Sequence, residues 1–268
     1  MSSTALLSRR ISQKSKPATV RIGQCDYGSH FQPIATRQGR VIAHEALLRP
    51  VVGDALGSSI QIATVFPAGL PHGEFVVRDQ QVRLLHCINF SRAGHGGKLF
   101  LNTHSRAFVE CAKNGDFSSD VCRELGLEPG RVVIEILEDA CATPAELLEA
   151  RIRFARLGFG IAVDDFGTGA SDQRRVLALT PDYVKLDRSY LAAAGADLHF
   201  MDRARRYMAS LIDIDIGIVA EGVETPFDVD SADELGAGLM QGFLIDRRTA
   251  MRQRNYAEML RNPLPPTV

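Results

Sequence analysis

Short apolar runs that end on polar residues recur along this chain, and they constrain its fold more than any other feature. Each run is long enough for one buried strand, and each contains or precedes an acid, an amide or a lysine. Helix-like segments separate most of the runs. This alternation predicts a β/α barrel. The runs cover residues 41–45, 99–102, 132–135, 160–165, 183–185, 217–221 and 239–241.

The predicted helices follow the same alternation. They span residues 74–90, 105–113, 143–157, 171–179, 200–212 and 226–235. The third of them has the clearest ends, because Thr143 can cap its first turn, Pro144 and Glu146 suit that turn, and Gly158 follows its last residue.

One connection departs from the β/α pattern. Residues 31–35 and 40–45 are joined only by residues 36–39, which cannot form a crossover helix. The first two strands must therefore run antiparallel. The predicted fold is an α/β, TIM-like (β/α)8 barrel with one antiparallel strand.

Length and composition indicate one domain after a short arm. The chain has 268 residues, and a TIM barrel takes about 250. Residues 1–20 are rich in Ser, Lys and Arg and lack the apolar core of a secretory signal, so we expect a flexible N-terminal arm followed by a single domain at 21–268. A solvated tail is the expected state of the arm, with contact to a membrane or partner as the alternative.

Charge and cysteine content exclude several classes of function. The net charge of −1 gives no basic surface for a nucleic-acid polymer, although a small phosphate ligand stays compatible with it. No apolar run approaches the ~20 residues of a membrane helix. The five cysteines are odd in number and lack ligand-like spacing, so they are expected to be reduced and mostly buried. We expect a cytoplasmic protein with no membrane span.

Residues 160–169 carry the densest chemistry, because Asp164 and Asp165 end an apolar strand and enter a glycine-rich turn. Taken alone, an ordinary strand-ending turn explains them equally well. Acids also end other runs, and the carboxyl ends of barrel strands meet at one rim. A ring of acids there needs cations to offset its repulsion, and Lys185 is one. The ring comprises Glu45, Glu135, Asp164, Asp165 and Glu221.

An ordered series of motifs runs along the chain. In chain order the motifs are Gln-Pro-Ile at 32–34, Glu-Ala-Leu-Leu-Arg at 45–49, Asn102, Glu-Ile-Leu-Glu at 135–138, Asp-Asp-Phe-Gly-Thr-Gly at 164–169, Lys-Leu-Asp-Arg at 185–188, Ala-Glu-Gly-Val-Glu-Thr at 220–225 and Gln-Gly at 241–242. This series resembles that of the EAL-domain cyclic di-GMP phosphodiesterases, and the resemblance covers residues 27 to 250.

The resemblance implies hydrolysis of cyclic di-GMP to linear pGpG with two Mg2+ or Mn2+ ions. Glu45, Asn102, Glu135 and Asp164 match the family's ligands for a first ion, and Asp164, Asp165 and Glu221 match those for a second. Hard oxygen ligands suit these ions, whereas the looser coordination of Ca2+ is expected to inhibit. Lys185, Glu221 and Asp165 are the expected catalytic residues, with Lys185 and Glu221 positioning or deprotonating the attacking water.

The resemblance also implies residues for the substrate and for a supporting loop. Leu47 and Arg49 are expected along one phosphate, since a guanidinium fork suits phosphate oxygens. For Arg49 and Asp187 a structural ion pair is the alternative. Glu138 matches a glutamate that holds the loop at 166–171, a loop linked to dimerisation in the family. The substrate-binding candidates are Gln32, Leu47, Arg49, Asp187, Glu224 and Gln241.

Two classes of function remain. The complete ligand set favours an active enzyme, and a homodimer is expected. The alternative is a catalytically weak EAL barrel that acts as a cyclic di-GMP sensor or a protein-binding regulator. Departures from the family pattern at Pro50, Ala170 and residues 243–248 bear on affinity, loop packing and dimer geometry. His44, expected outside the barrel, and His104, expected on an exposed loop, are given no role.

Overall fold

Eight strands form a closed barrel, and three short strands extend the sheet. The computed structural model of the chain describes residues 11–12, 17–58, 62–114, 119–137, 142–167, 173, 176 and 179–251. The strands are β1 (Ile11–Ser12), β2 (Thr19–Ile22), β3 (Cys25–Ala35), β4 (Val41–Val52), β5 (Ala55–Leu56), β6 (Lys98–Thr103), β7 (Val132–Ile136), β8 (Gly160–Phe166), β9 (Tyr183–Leu186), β10 (Gly217–Ala220) and β11 (Leu239–Met240).

The barrel has one reversed strand, as predicted. Its order is β3-β4-β6-β7-β8-β9-β10-β11, and β11 returns to pair with β3. Strand β3 is antiparallel to both of its barrel neighbours, β4 and β11, while the other barrel pairs are parallel. The tight link between β3 and β4 explains the reversal: Gly39 has a φ of 76° and its N–H donates to Thr36 O at 2.7 Å.

Helices cover the outside of the barrel. They are α1 (Ile62–Val65), α2 (His72–Ala93), α3 (Ser105–Asn114), α4 (Ser119–Glu124), α5 (Pro144–Arg156), α6 (Arg188–Ala196), α7 (Leu198–Ile212) and α8 (Pro226–Glu234). A 3-10 turn spans Pro129–Arg131, and residues 243–251 are helical.

Five of the six predicted helices are confirmed to within a few residues at each end, as α2, α3, α5, α7 and α8. Of the sixth, only Gln173, Val176 and Leu179 fall within the described part of the chain, and all three are helical. At the start of α5, Thr143 Oγ1 accepts the N–H of Glu146 at 3.3 Å, and Glu146 Oε2 accepts the N–H of Thr143 at 3.0 Å.

Helices α4 and α6 were not predicted. Helix α6 reads Arg-Ser-Tyr-Leu-Ala-Ala-Ala-Gly-Ala and lacks a regular apolar stripe, which is the signal that sequence patterns rely on. The segment at 50–71, predicted as an irregular loop or short helix, contains the end of β4, strand β5 and helix α1.

Side chains inside the barrel form a small apolar layer below the polar rim. Ile34, Ala43, Phe100, Val133, Ala162 and Val219 pack together there. In β4, Ala43 and Glu45 share this inner face, because strand residues two apart point the same way. His44 points outward, with its ring 6.0 Å from that of Phe90 in α2, which confirms its predicted position outside the barrel.

The folded domain begins before residue 21. Ala18 and Val20 are fully buried, and β2 starts at Thr19, so the last residues of the predicted arm belong to the sheet. The Ser-, Lys- and Arg-rich composition of residues 1–20 gave no sign that these two side chains would be buried. Residues 1–10 and 13–16 lie outside the described part, so the rest of the arm stays a prediction.

Four of the five cysteines lie in the part of the chain that the structure describes. Cys87, Cys111 and Cys122 are buried free thiols and Cys25 is exposed. Cys141, Glu138 and residues 168–171 of the predicted supporting loop lie outside the described residues. Within the part of the chain that the structure describes, no helix is long and apolar enough to cross a bilayer.

Candidate active site

The polar rim gathers residues from eight strands. Glu45 lies in β4, Asn102 in β6, Glu135 in β7, Asp164 and Asp165 in β8, and Lys185 in β9, while Glu221 and Gln241 follow β10 and β11. Register places Gln32 of β3 directly opposite Glu45 and pairs Asn102 with Glu135. The sequence prediction that these strand ends converge is confirmed by this geometry.

Lys185 is the centre of the rim. Its Nζ lies 3.2 Å from Glu45 Oε2, 3.3 Å from Asp164 Oδ1 and 2.5 Å from Glu221 Oε1, and it also bonds Glu135. The lysine side chain is 1% exposed. A buried cation of this kind is stable only because carboxylates surround it.

The pKa values of this cluster follow from burial and mutual charge. Burial alone lowers the pKa of Lys185, but the four carboxylates outweigh burial, and the net pKa lies well above the ordinary value of lysine. Burial raises the pKa of Glu135 well above its usual range, with Lys185 opposing and the other carboxylates adding to the rise. For Glu221 the same causes give a pKa of about 8.

Two groups of three carboxylates could each hold a cation. In each group one oxygen per residue lies within 4.8 Å of the others: Glu45, Glu135 and Glu221 in the first, and Asp164, Asp165 and Glu221 in the second. Glu135 Oε2 is buried and accepts no hydrogen bond from any described residue. An orphaned buried acceptor in an oxygen-only donor set fits a hard divalent cation such as Mg2+ or Mn2+.

Asn102 and Asp165 complete the predicted ligands. Asn102 Nδ2 donates to Glu45 Oε1 at 2.6 Å, so the two side chains are held together. Asp165 has a φ of 52°, a conformation that non-glycine residues rarely adopt and that functional sites often hold. Asp165 is itself one of the three carboxylates of the second group.

One cavity beside the carboxylates contains the predicted phosphate residues. Its volume is about 290 Å³, and its walls include Glu45, Leu47, Arg49 and Asn102. Arg49 Nη1 donates to Leu48 O at 3.0 Å. Among the residues that the structure describes, no carboxylate lies within salt-bridge distance of Arg49. Burial lowers the pKa of Arg49 and Glu45 opposes this shift.

A second cavity, of about 250 Å³, opens on the other side of Glu45. Gln32, Asp187, Glu221, Glu224 and Gln241 line it. Asp187 Oδ1 accepts the N–H of Ser189 at 2.8 Å, so this residue caps α6. Glu224 Oε1 accepts from Arg188 Nη1 at 2.6 Å. The structure thus brings both residues to the rim and also gives each a structural partner.

Three residues near the site were missed by sequence reasoning. His86 and Phe66 line the first cavity with His104, and Asp246 bonds Gln32 Nε2 at 3.0 Å. His86 and Asp246 lie on helical segments, far along the chain from the side chains they meet, and no local pattern marks them. His104, expected on an exposed loop, instead packs against the rings of Phe66 and Phe75 at 5.2 and 4.8 Å.

Comparisons with known proteins agree with this geometry. In Pseudomonas aeruginosa, the bifunctional diguanylate cyclase/cyclic di-GMP phosphodiesterase MucR is 28% identical over 81% of this chain and 32% of its own length. The cyclic di-GMP phosphodiesterase NbdA of the same organism is 30% identical over 81% of this chain and 28% of its own length. The chain therefore spans about a third of each of these relatives.

Solved structures share the fold. The cyclic di-GMP-bound form of a standalone EAL protein from Vibrio cholerae matches with a TM-score of 0.70 and 21% identity, over 82% of this chain and 91% of that one. The manganese/cyclic di-GMP complex of BlrP1 from Klebsiella pneumoniae matches with a TM-score of 0.69 and 23% identity, over 83% and 55%. A model of the EAL domain matches residues 18–248. With its reversed-strand barrel and its rim of carboxylates around Lys185, this chain belongs to the EAL domain family.

Proposed function

We propose that this chain hydrolyses cyclic di-GMP to linear pGpG with the help of two Mg2+ or Mn2+ ions. The observation that carries the proposal is the pair of carboxylate groups that meet at Glu221 around one buried lysine. Family relatives named as cyclic di-GMP phosphodiesterases support the substrate. Bound cations would polarise the phosphodiester, lower the pKa of an attacking water and stabilise the leaving 3′ oxygen.

The chain's own residues would hold the reactants in place. Glu45, Asn102, Glu135 and Asp164 would hold one cation, and Asp164, Asp165 and Glu221 the other. Arg49 and Leu47 would lie along a phosphate in the 290 Å³ cavity, where a planar guanidinium can donate two hydrogen bonds to phosphate oxygens. Gln32, Glu224 and Gln241 would contact the ligand from the other cavity, and Asp187 would support the lysine and metal region.

The pKa values separate the roles of Lys185 and Glu221. Because the pKa of Lys185 lies well above its ordinary value, this side chain stays protonated at neutral pH and can only donate to the attacking water. A carboxylate must then accept the water's proton, and we assign that role to Glu221. Burial gives this carboxyl a pKa of about 8 in the cation-free rim, and bound cations would lower that pKa because they favour the charged form. In the reaction the water oxygen bonds to phosphorus, the bond from phosphorus to the 3′ oxygen breaks, and that oxygen ends protonated.

The test is a turnover assay on the purified chain. With cyclic di-GMP and MgCl2 or MnCl2, chromatography should show pGpG, and a chelator should abolish its formation. Glu45→Ala, Asp164→Asn and Glu221→Ala should each lower kcat at least ~100-fold, the scale lost when an electrostatic catalytic element is removed. Arg49→Ala should mainly raise KM. Glu149→Ala, on the exposed face of α5, is the matched control and should keep normal turnover.

A binding measurement distinguishes the enzyme from the alternative function, a sensor or protein-binding regulator. If the wild type binds cyclic di-GMP by calorimetry but forms no pGpG with either cation, the chain is a sensor or a protein-binding regulator. Near-normal turnover in the three ligand variants would overturn the site assignment.

The remaining expectations belong to the same proposal. Glu138 would order the loop at 166–171, so Glu138→Ala should weaken metal dependence and turnover while leaving the melting temperature nearly unchanged. The domain would act in the cytoplasm as a homodimer, and sedimentation velocity tests the dimer.

A further inference from the structure

A chain of hydrogen bonds joins the helical segment after β11 to Glu45. Gln32 Nε2 donates to Asp246 Oδ2 at 3.0 Å, and Gln241 Nε2 donates to Gln32 Oε1 at 2.9 Å. The same Gln241 nitrogen donates to Glu45 Oε2 at 2.5 Å. Asp246 therefore connects to the rim through two amides, although it lies 214 positions from Gln32 in the sequence.

The two carboxylates at the ends of this network fix its direction. An ionised carboxylate only accepts hydrogen bonds, whereas a glutamine amide has a donor end and an acceptor end. If Gln32 were flipped, its oxygen would face Asp246 and its nitrogen would face the nitrogen of Gln241. Both contacts would be repulsive, so Asp246 permits one orientation of Gln32, and Gln32 with Glu45 permits one orientation of Gln241.

This orientation controls what the 250 Å³ cavity offers a ligand. Gln241 is 4% exposed and lines that cavity beside Glu45 and Glu221. Its nitrogen is committed to Gln32 and Glu45, and its Oε1 is buried with no hydrogen-bond donor among the described residues. A fixed, unpaired acceptor at this wall suits a donor group of the ligand or a water molecule on a bound cation.

We propose that Asp246 is a positioning residue that sets the orientation of the Gln32 and Gln241 amides and thereby holds Glu45 in place for a divalent cation. The inference rests on the proposed function, because the cation belongs to it. Asp246 itself touches neither Glu45 nor the other proposed ligands in the described contacts. Partners of metal ligands that act in this way typically change metal affinity 10–100-fold when they are removed.

The test compares Asp246→Leu, which has a similar size and no acceptor, with Asp246→Asn, which keeps one acceptor oxygen. Arg248→Ala is the matched control, since this exposed side chain lies on the same helical segment. Three experiments are carried out on each 268-residue protein: the 15N side-chain amide signals of Gln32 and Gln241 are recorded, the Kd for Mn2+ is measured by calorimetry, and kcat and KM are determined for cyclic di-GMP.

Asp246→Leu should shift or broaden both amide signals and raise the Mn2+ Kd about 10-fold. The KM for substrate should rise with it, while the melting temperature stays close to that of the wild type. Asp246→Asn should restore most of the Mn2+ affinity, and Arg248→Ala should match the wild type in every readout.

Unchanged amide signals in Asp246→Leu, or an unchanged Mn2+ Kd, would overturn the inference. Failure of the proposed function has a different signature, in which the wild type itself neither binds Mn2+ nor forms pGpG. The amide spectra still decide in that case, because they report the orientation of Gln32 and Gln241 without any cation.

Discussion

The charge of Lys185 offsets four carboxylates, so its removal should be costly at the level of one residue. In protein freed of metal by a chelator, Lys185→Met should lower the free energy of unfolding by about 3 kcal/mol, because buried acids lose their counter-charge. Mn2+ should restore part of this loss, since a cation can replace the ammonium. Urea unfolding with and without Mn2+ measures both effects.

Lys113→Met is the control for the lysine variant. Lys113 is 50% exposed and its Nζ lies 3.8 Å from Glu146, an arrangement that contributes within about 1 kcal/mol. Equal losses in the two variants would contradict the view that Lys185 neutralises the rim.

His86 should make stability depend on pH. Burial lowers its pKa to about 3, with the charge of Arg49 adding to the shift, and Ser29 Oγ lies 2.8 Å from its Nδ1. In the unfolded chain His86 has an ordinary histidine pKa of about 6.5. Between the two pKa values, His86 is therefore protonated in the unfolded chain and neutral in the folded protein. The contribution of neutral His86 to the free energy of unfolding is therefore complete above about pH 6.5, and it is lost as the pH falls from there toward the folded pKa.

Between pH 6.5 and 5 this one group should lower the free energy of unfolding by about 2 kcal/mol. His86→Gln should remove that part of the pH dependence in denaturant titrations at the two pH values. His199→Gln, which alters an exposed histidine, should leave it in place. An identical slope in His86→Gln and the wild type would show that His86 does not carry the effect.

At the scale of elements, the first turn of α5 depends on Thr143. Its hydroxyl and the Glu146 carboxylate satisfy each other's backbone N–H groups. Thr143→Ala should lower the free energy of unfolding by about 1 kcal/mol, the usual cost of losing an N-cap, while Thr143→Ser keeps the oxygen and should lose little. Chemical denaturation of the three proteins checks this, and equal stability of the Ala and Ser variants would exclude the cap.

Elements were predictable where their own residues carry the signal. Helix α5 was predicted because Thr143, Pro144 and Glu146 mark its start, and the reversed β3 because residues 36–39 are too few for a crossover. Helix α6 was missed because its alanine-rich stretch has no apolar period. Alanine itself favours a helix, and the buried Leu191 and Ala194 join the hydrophobic core.

For the whole molecule, divalent cations should act on stability and on turnover differently. Mn2+, Mg2+ and Ca2+ should each raise the melting temperature, since any cation that binds only the folded rim stabilises it by mass action. Only Mn2+ and Mg2+ should support hydrolysis, because the looser coordination of Ca2+ relaxes the required geometry. Thermal melts beside turnover assays check this. Rapid hydrolysis with Ca2+ would contradict the geometric argument.

The residues of the site that lie at the carboxyl ends of strands could be predicted from the sequence. Glu45, Glu135, Asp164 and Glu221 end up around Lys185 because parallel strands bring their carboxyl ends to one rim. Asp246 was not predictable in the same way. Its position depends on how residues 243–251 return over β3, and that return is a property of the closed barrel and not of any local sequence.

The barrel closes where its last strand, β11, pairs with its first, β3, and this pairing bears on how the chain folds. Strand β11 has two residues, and it meets β3 at the pair Met240 and Ala35, which come from opposite ends of the domain. Pairing across so long a loop is slow. Met240 must also have left the ribosome before β11 can pair with β3 and close the barrel. Gln241 bonds Glu45 one residue past this pair, so we expect the carboxylate rim to be complete only after the barrel has closed.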